Sequence, residues 1–200
     1  MGNREDLLAG AKRCLFEKGY GRTTARDIAS AAGVSLAAIG YHFGSKEALL
    51  NSAMLEAVGE WGEAVETAVA SAVDSSASPE ERFVETWDGV RKTFVEYRGL
   101  WSAQYEAIAQ IDHAPELKEA LGGVQRMARL GLAAMFQGLK EVPDTEDELA
   151  LGTFYQALLA GLAVQWLVAP EQAPSGRDFL RGLELASGRV LGAARAEVGP

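Results

Sequence analysis

Residues 23–50 read TTARDIASAAGVSLAAIGYHFGSKEALL, and their spacing predicts two short helices meeting at a glycine turn. Thr24 followed three residues later by Asp27 has the form of a capping box, in which hydroxyl and carboxylate each serve a backbone N–H at a helix start. Ala25, Ile28, Ala29 and Ala32 then recur at the interval that lines one helix face. Gly33 stands where that helix should end, because glycine takes the left-handed conformation of a tight C-terminal turn at little steric cost. Val34 anchors the turn. Ser35 is expected to cap a second helix over 36–43, with Leu36, Ile39 and Phe43 facing inward and Ala37, Ala38, Gly40, Tyr41 and His42 outward. A face that met only water would carry Lys and Glu. Slim residues beside a phenol and an imidazole suit close approach to a major groove, with polar tips for phosphates.

The run T-x-R-D-I-A-x-x-A-G-V-S, followed by I-x-Y-H-F and S-K-E-x-L-L, resembles the N-terminal domain of the TetR/AcrR transcriptional regulators. Leu7, Leu8, Ala11, Leu15, Phe16, Gly19 and Tyr20 extend the likeness upstream. Gly40 departs from it, standing where the family commonly has an aromatic. The resemblance implies that Thr24 and the amides behind it, with Tyr41, His42 and Lys46, hold phosphates. Arg26 is then the candidate reader of guanine, because its planar fork matches O6 and N7 together. Ser35, Leu36, Ala37, Ala38 and Gly40 would line the groove. The implied function is a dimeric repressor on a near-palindromic operator, released by a small molecule. An activator uses the same parts, and so does an acidic helical interaction module whose DNA head has degenerated.

Net charge is −9 over 200 residues, which is unusual for a protein that must approach phosphates. The charge is unevenly spread: residues 1–48 carry net +2, and the rest carries net −11. That division suggests a DNA-binding domain over 1–48 on an acidic ligand-binding and dimerisation domain over 49–200. The lone cysteine, Cys14, excludes an internal disulfide and fits the reducing cytoplasm; its neighbours predict a partly buried thiol.

Capping signals at Ser78-Pro79-Glu80-Glu81 and Ser175-Gly176-Arg177-Asp178, with prolines at 115 and 143, divide the chain into about nine helices and no strand, an all-α fold. The expected spans are 3–18, 24–32, 36–42, 46–73, 79–97, 100–111, 115–140, 145–168 and 176–195. Residues 149–169 carry no charge, long enough to cross a bilayer. Acidic flanks and Thr153, Tyr155, Gln156 and Gln165 favour instead a helix buried on most sides, part of it at a subunit interface. Leu158, Leu162, Gln165, Trp166, Phe179, Leu183, Ala186 and Val190 are the candidate dimer residues. An effector pocket is implied only by the resemblance, with Trp61, Phe83, Trp87, Trp101, Gln104, Tyr105, Met127, Phe136 and Phe154 as candidate lining. Two histidines 71 residues apart and one cysteine suggest neither a metal cluster nor a nucleophilic pair, so no enzyme chemistry and no cofactor is expected.

Overall fold

The computed structural model describes residues 3–74 and 76–197. Among them nine α-helices occur: α1 Asn3–Lys18, α2 Ala25–Ala32, α3 Ala37–Phe43, α4 Lys46–Ala72, α5 Pro79–Thr93, α6 Arg98–Ala109, α7 Pro115–Gln137, α8 Glu146–Val168 and α9 Gly176–Glu197. Two 3-10 turns, Ile111–His113 and Pro170–Gln172, precede α7 and α9. The capping chemistry explains the starts. Thr24 and Asp27 exchange hydrogen bonds in a full box at α2, and Ser78 with Glu81 and Ser175 with Asp178 repeat it at α5 and α9. Two helices end three or more residues earlier than the sequence suggests. α5 stops at Thr93 and gives way to a turn over 94–97. α7 stops at Gln137 because Gly138, at φ 68°, turns the chain and its neighbour Leu139 donates back to the Ala134 carbonyl.

The chain packs as two compact units, Met1–Ala64 with Thr93–Ala128, and Val65–Lys92 with Arg129–Pro200. In the first, α1 buries Leu7, Leu8, Ala11, Cys14 and Leu15. Gly10 lets α2 approach closely: a methyl group there would lie 2.9 Å from the Ala32 nitrogen. Leu49, Leu50, Ala53, Met54 and Ala57 of α4 and Leu100, Trp101, Ala103 and Ala107 of α6 complete this core. Trp61 seals it, donating its indole N–H to the Thr93 hydroxyl at 2.9 Å and meeting Trp101 edge-on.

The second unit is built on Phe83, Trp87, Phe136, Tyr155 and Phe179, whose rings lie within 6.4 Å of one another in successive contacts. α8 contributes Gly152, Tyr155, Leu159, Leu162, Ala163 and Trp166, a stripe at helical spacing. The expectation that this helix is buried on most sides is corrected. It is long and apolar enough to cross a membrane by length and composition, but 33% of its apolar span is buried. Phe154, Ala157, Gly161, Val164 and Val168 lie exposed along its other side.

Candidate nucleic-acid interface

Every side chain of the candidate interface belongs to the first unit and is placed by α1–α4. α2 is fixed at its start by the capping box and at its end by Gly33, whose φ of 69° lets its own N–H and that of Val34 return to α2 carbonyls. Asp27 also accepts from the Lys18 ammonium at 2.6 Å. That ion pair, together with the hydrogen bonds from Thr24, holds its carboxyl far below the usual carboxylate range. Thr24 is exposed, but its hydroxyl and N–H are already engaged with Asp27. Only the first-turn amides behind it are left for an anion.

α3 begins one residue later than the sequence implies, and the residues it presents also differ from the expectation. Leu36 occupies the N-cap position, and the Ala38 amide is taken by the Ser35 carbonyl rather than by a side-chain cap. The Ser35 hydroxyl therefore caps nothing among the described residues. Ala38, expected to face outward, is 9% exposed and packs beside Ile39; Leu36, expected inward, is 50% exposed. The outward face is Leu36, Ala37, Gly40 and Tyr41, one strip at i, i+1, i+4 and i+5. Tyr41, 86% exposed, meets the half-buried His42 edge-on at 4.8 Å. Gly40 has open space around it, so a side chain would fit there.

The cations of this region separate by what they already hold. Lys12 bridges Glu56 and Glu60 at 2.6 Å each. Lys18 holds Asp27, Arg13 donates to the Ala31 carbonyl, Arg22 donates to the Lys18 carbonyl, and Arg4 lies over the Phe43 ring. Lys46, expected to meet a phosphate, instead donates to the Thr23 carbonyl at 3.1 Å and pairs with Glu47 at 3.3 Å. It ties the start of α4 to the loop before α2. Among the described residues of the region, Arg26 is the cation with no ion pair, hydrogen bond or ring contact, and it is exposed.

The residues expected to line one effector pocket fall in different units. Trp61, Trp101, Gln104, Tyr105 and Met127 belong to the first and Phe83, Trp87, Phe136 and Phe154 to the second. The five buried members, Trp61, Trp101, Phe83, Trp87 and Phe136, pack as core aromatics. Met127, 70% exposed, and Phe154 are surface residues, which corrects their assignment to an enclosed lining. Among the candidate dimer residues, Leu162 and Trp166 are buried within their own chain and Phe179 packs on Trp87 at 4.7 Å, so they face inward. Gln165, Leu183, Ala186 and Val190 are exposed, and Leu158 is half-buried. Sequence reading missed Val164 and Val168. Their signal was the 3-4 spacing from Phe154 through Ala157 and Gly161. Leu191 and Gly192, which the sequence also offers as apolar and small positions of the last helix, lie outside the described side chains.

Residues 7–53 match the family of bacterial regulatory proteins termed tetR. The chain is 30% identical over 129 residues to the HTH-type transcriptional repressor AcnR of Corynebacterium efficiens, covering 60% of this chain and 63% of the relative. It is 28% identical over 190 residues to the HTH-type transcriptional regulator BetI 1 of Chromohalobacter salexigens, covering 92% and 86%. The aligned part thus spans less than two thirds of the AcnR repressor's length. In fold the chain is similar to a transcriptional regulator from Rhodococcus sp. Rha1, with TM-score 0.65 and 20% identity over 95% of this chain and 96% of that one. A TetR transcription regulator from Haloarcula marismortui gives TM-score 0.62 at 18% identity, covering 94% and 95%.

Proposed function

We propose that this chain, which belongs to the TetR/AcrR family of bacterial transcriptional regulators, is a repressor that binds DNA through α3 and the start of α2. The observation that carries the reading is the joint surface of Arg26, Leu36, Ala37, Gly40 and Tyr41: one uncommitted cation beside a slim exposed helix face. Arg26 would read a guanine edge, the alanine a thymine methyl, and Tyr41, His42 and the first-turn amides of α2 would hold phosphates. Lys46 supports the site from behind by holding the Thr23 carbonyl. The functional division at residue 48, a DNA-binding domain before it and a regulatory domain after, belongs to the same proposal.

A single short helix reads too few bases for tight binding, so the reading includes a homodimer with two helices spaced for successive major grooves, about 34–36 Å apart. The exposed stripe Phe154, Ala157, Gly161, Val164 and Val168 on α8 supports it. Its alternating steps of three and four residues are those of a helix seam, and Leu183, Ala186 and Val190 on α9 repeat them. Release by a small effector follows if the effector prefers one spacing of the two heads. The cytoplasm is the compartment in which such a regulator meets DNA.

Selection of bound duplexes from a random pool at moderate salt tests the reading. A two-fold symmetric site is the expected result. No enrichment, or enrichment without symmetry, overturns it in favour of a helical interaction module.

A further inference from the structure

A cavity of about 420 Å³ opens within the first unit, between the base of the reading head and the corner where α6 passes through its 3-10 turn into α7. Its wall is rich in donors. Asn51 is 6% exposed; its Oδ1 accepts the Tyr20 hydroxyl at 2.8 Å, and its side-chain NH2 has no acceptor among the described residues. The first turn of α7 also lines it. That helix is preceded by Ala114, whose methyl offers no cap, and begins with Pro115, so the amides of Glu116 and Leu117 lie in its first turn, ahead of any intrahelical carbonyl. Lys46 also lines it, with its ammonium already held by the Thr23 carbonyl and Glu47. A carboxylate seated here would meet the Asn51 amide and the positive end of a 23-residue helix.

The rim carries the opposite sign. Glu47 and Glu116 are both exposed and both line the opening, Glu47 paired with Lys46; burial first, and then these two carboxylates, push the Tyr20 hydroxyl pKa upward. A simple anion would be repelled at this mouth, and a simple cation would find donors inside. We infer that the cavity is a binding site for a small zwitterion of amino-acid type, its carboxylate inward on Asn51 and the α7 amides and its ammonium outward on Glu116, beside the Lys46–Glu47 pair. The volume lies within the range of small-molecule sites. Occupancy would tie Tyr20 and the start of α4 to the α7 corner, where Glu106 already accepts the Gly21 N–H at 3.0 Å. It would thereby bias the placement of the reading head.

The test needs no DNA, so it fails or succeeds independently of the repressor reading. The full chain is titrated calorimetrically with 4-aminobutanoate, with butanoate and with butylamine, each to millimolar concentration. Saturable binding of 4-aminobutanoate, with each half-ligand weaker by about tenfold or more, is expected. Glu116→Gln, an exposed change, should weaken it by about tenfold. Asn51→Asp, which keeps the acceptor for Tyr20 but replaces the donor, should abolish it. No binding of 4-aminobutanoate, equal binding of butanoate or butylamine, or unchanged affinity in Glu116→Gln overturns the inference, and the last holds whether or not Asn51→Asp folds.

Discussion

At the scale of single residues, Arg26 and Thr24 sit two positions apart and do different work. Arg26→Ala should relax base preference at one operator position while leaving overall affinity for other positions intact, read by selection of bound sequences. Unchanged preference removes Arg26 from the base-reading role. Thr24→Ala removes the hydroxyl of the α2 box and should cost about 1 kcal/mol of stability, measured by urea denaturation. Asp27 sets the pH behaviour of that box. Its folded-state pKa is lowered, first by the Lys18 pair and then by Thr24, so its stabilising contribution is complete above the ordinary carboxylate range. The contribution falls away as pH drops from that range through the depressed folded value, and NMR titration of Asp27 should show no protonation near pH 4. Cys14 is buried, and burial pushes its thiol pKa up, so it should resist thiol reagents in the native protein and react on unfolding.

At the scale of elements, two glycines should respond to alanine in opposite directions. Gly40 lies in α3 with nothing within 4 Å of an added methyl, so Gly40→Ala should stabilise the helix by about 0.5–1 kcal/mol. Gly152 lies where α8 crosses α7, and a methyl there would come within 2.0 Å of the Arg129 carbonyl oxygen. Gly152→Ala must push backbone aside and should cost about 1–3 kcal/mol or more, seen as a fall in melting temperature. Most element boundaries were legible because their signals are local. A capping box needs four residues, and a left-handed glycine is set by its own φ. The facing of α3 was not legible: Leu36 reads as inward by its spacing from Ile39 and Phe43 yet is exposed, and Ala38 reads as outward yet is buried beside Ile39.

At the scale of the whole molecule, the exposed apolar side of α8 is the feature on which the proposed dimer rests. Val168→Asp should shift the protein toward monomer in sedimentation velocity and weaken binding to a symmetric operator, while the circular dichroism of the helices is retained. A monomeric wild type would remove the dimer from the proposed function. The sequence by itself determined the helical class, the capped helix starts and the likeness to the tetR regulatory proteins, because capping, periodicity and the motif between residues 23 and 50 depend on neighbours a few positions apart. Tertiary structure alone decided which cations are spent and which aromatics are core. Lys46 reaches the Thr23 carbonyl across 23 positions, Lys12 reaches Glu60 across 48, and Phe83 finds Phe136. Those pairings are fixed by how helices pack, and no local pattern encodes which side chain will meet which.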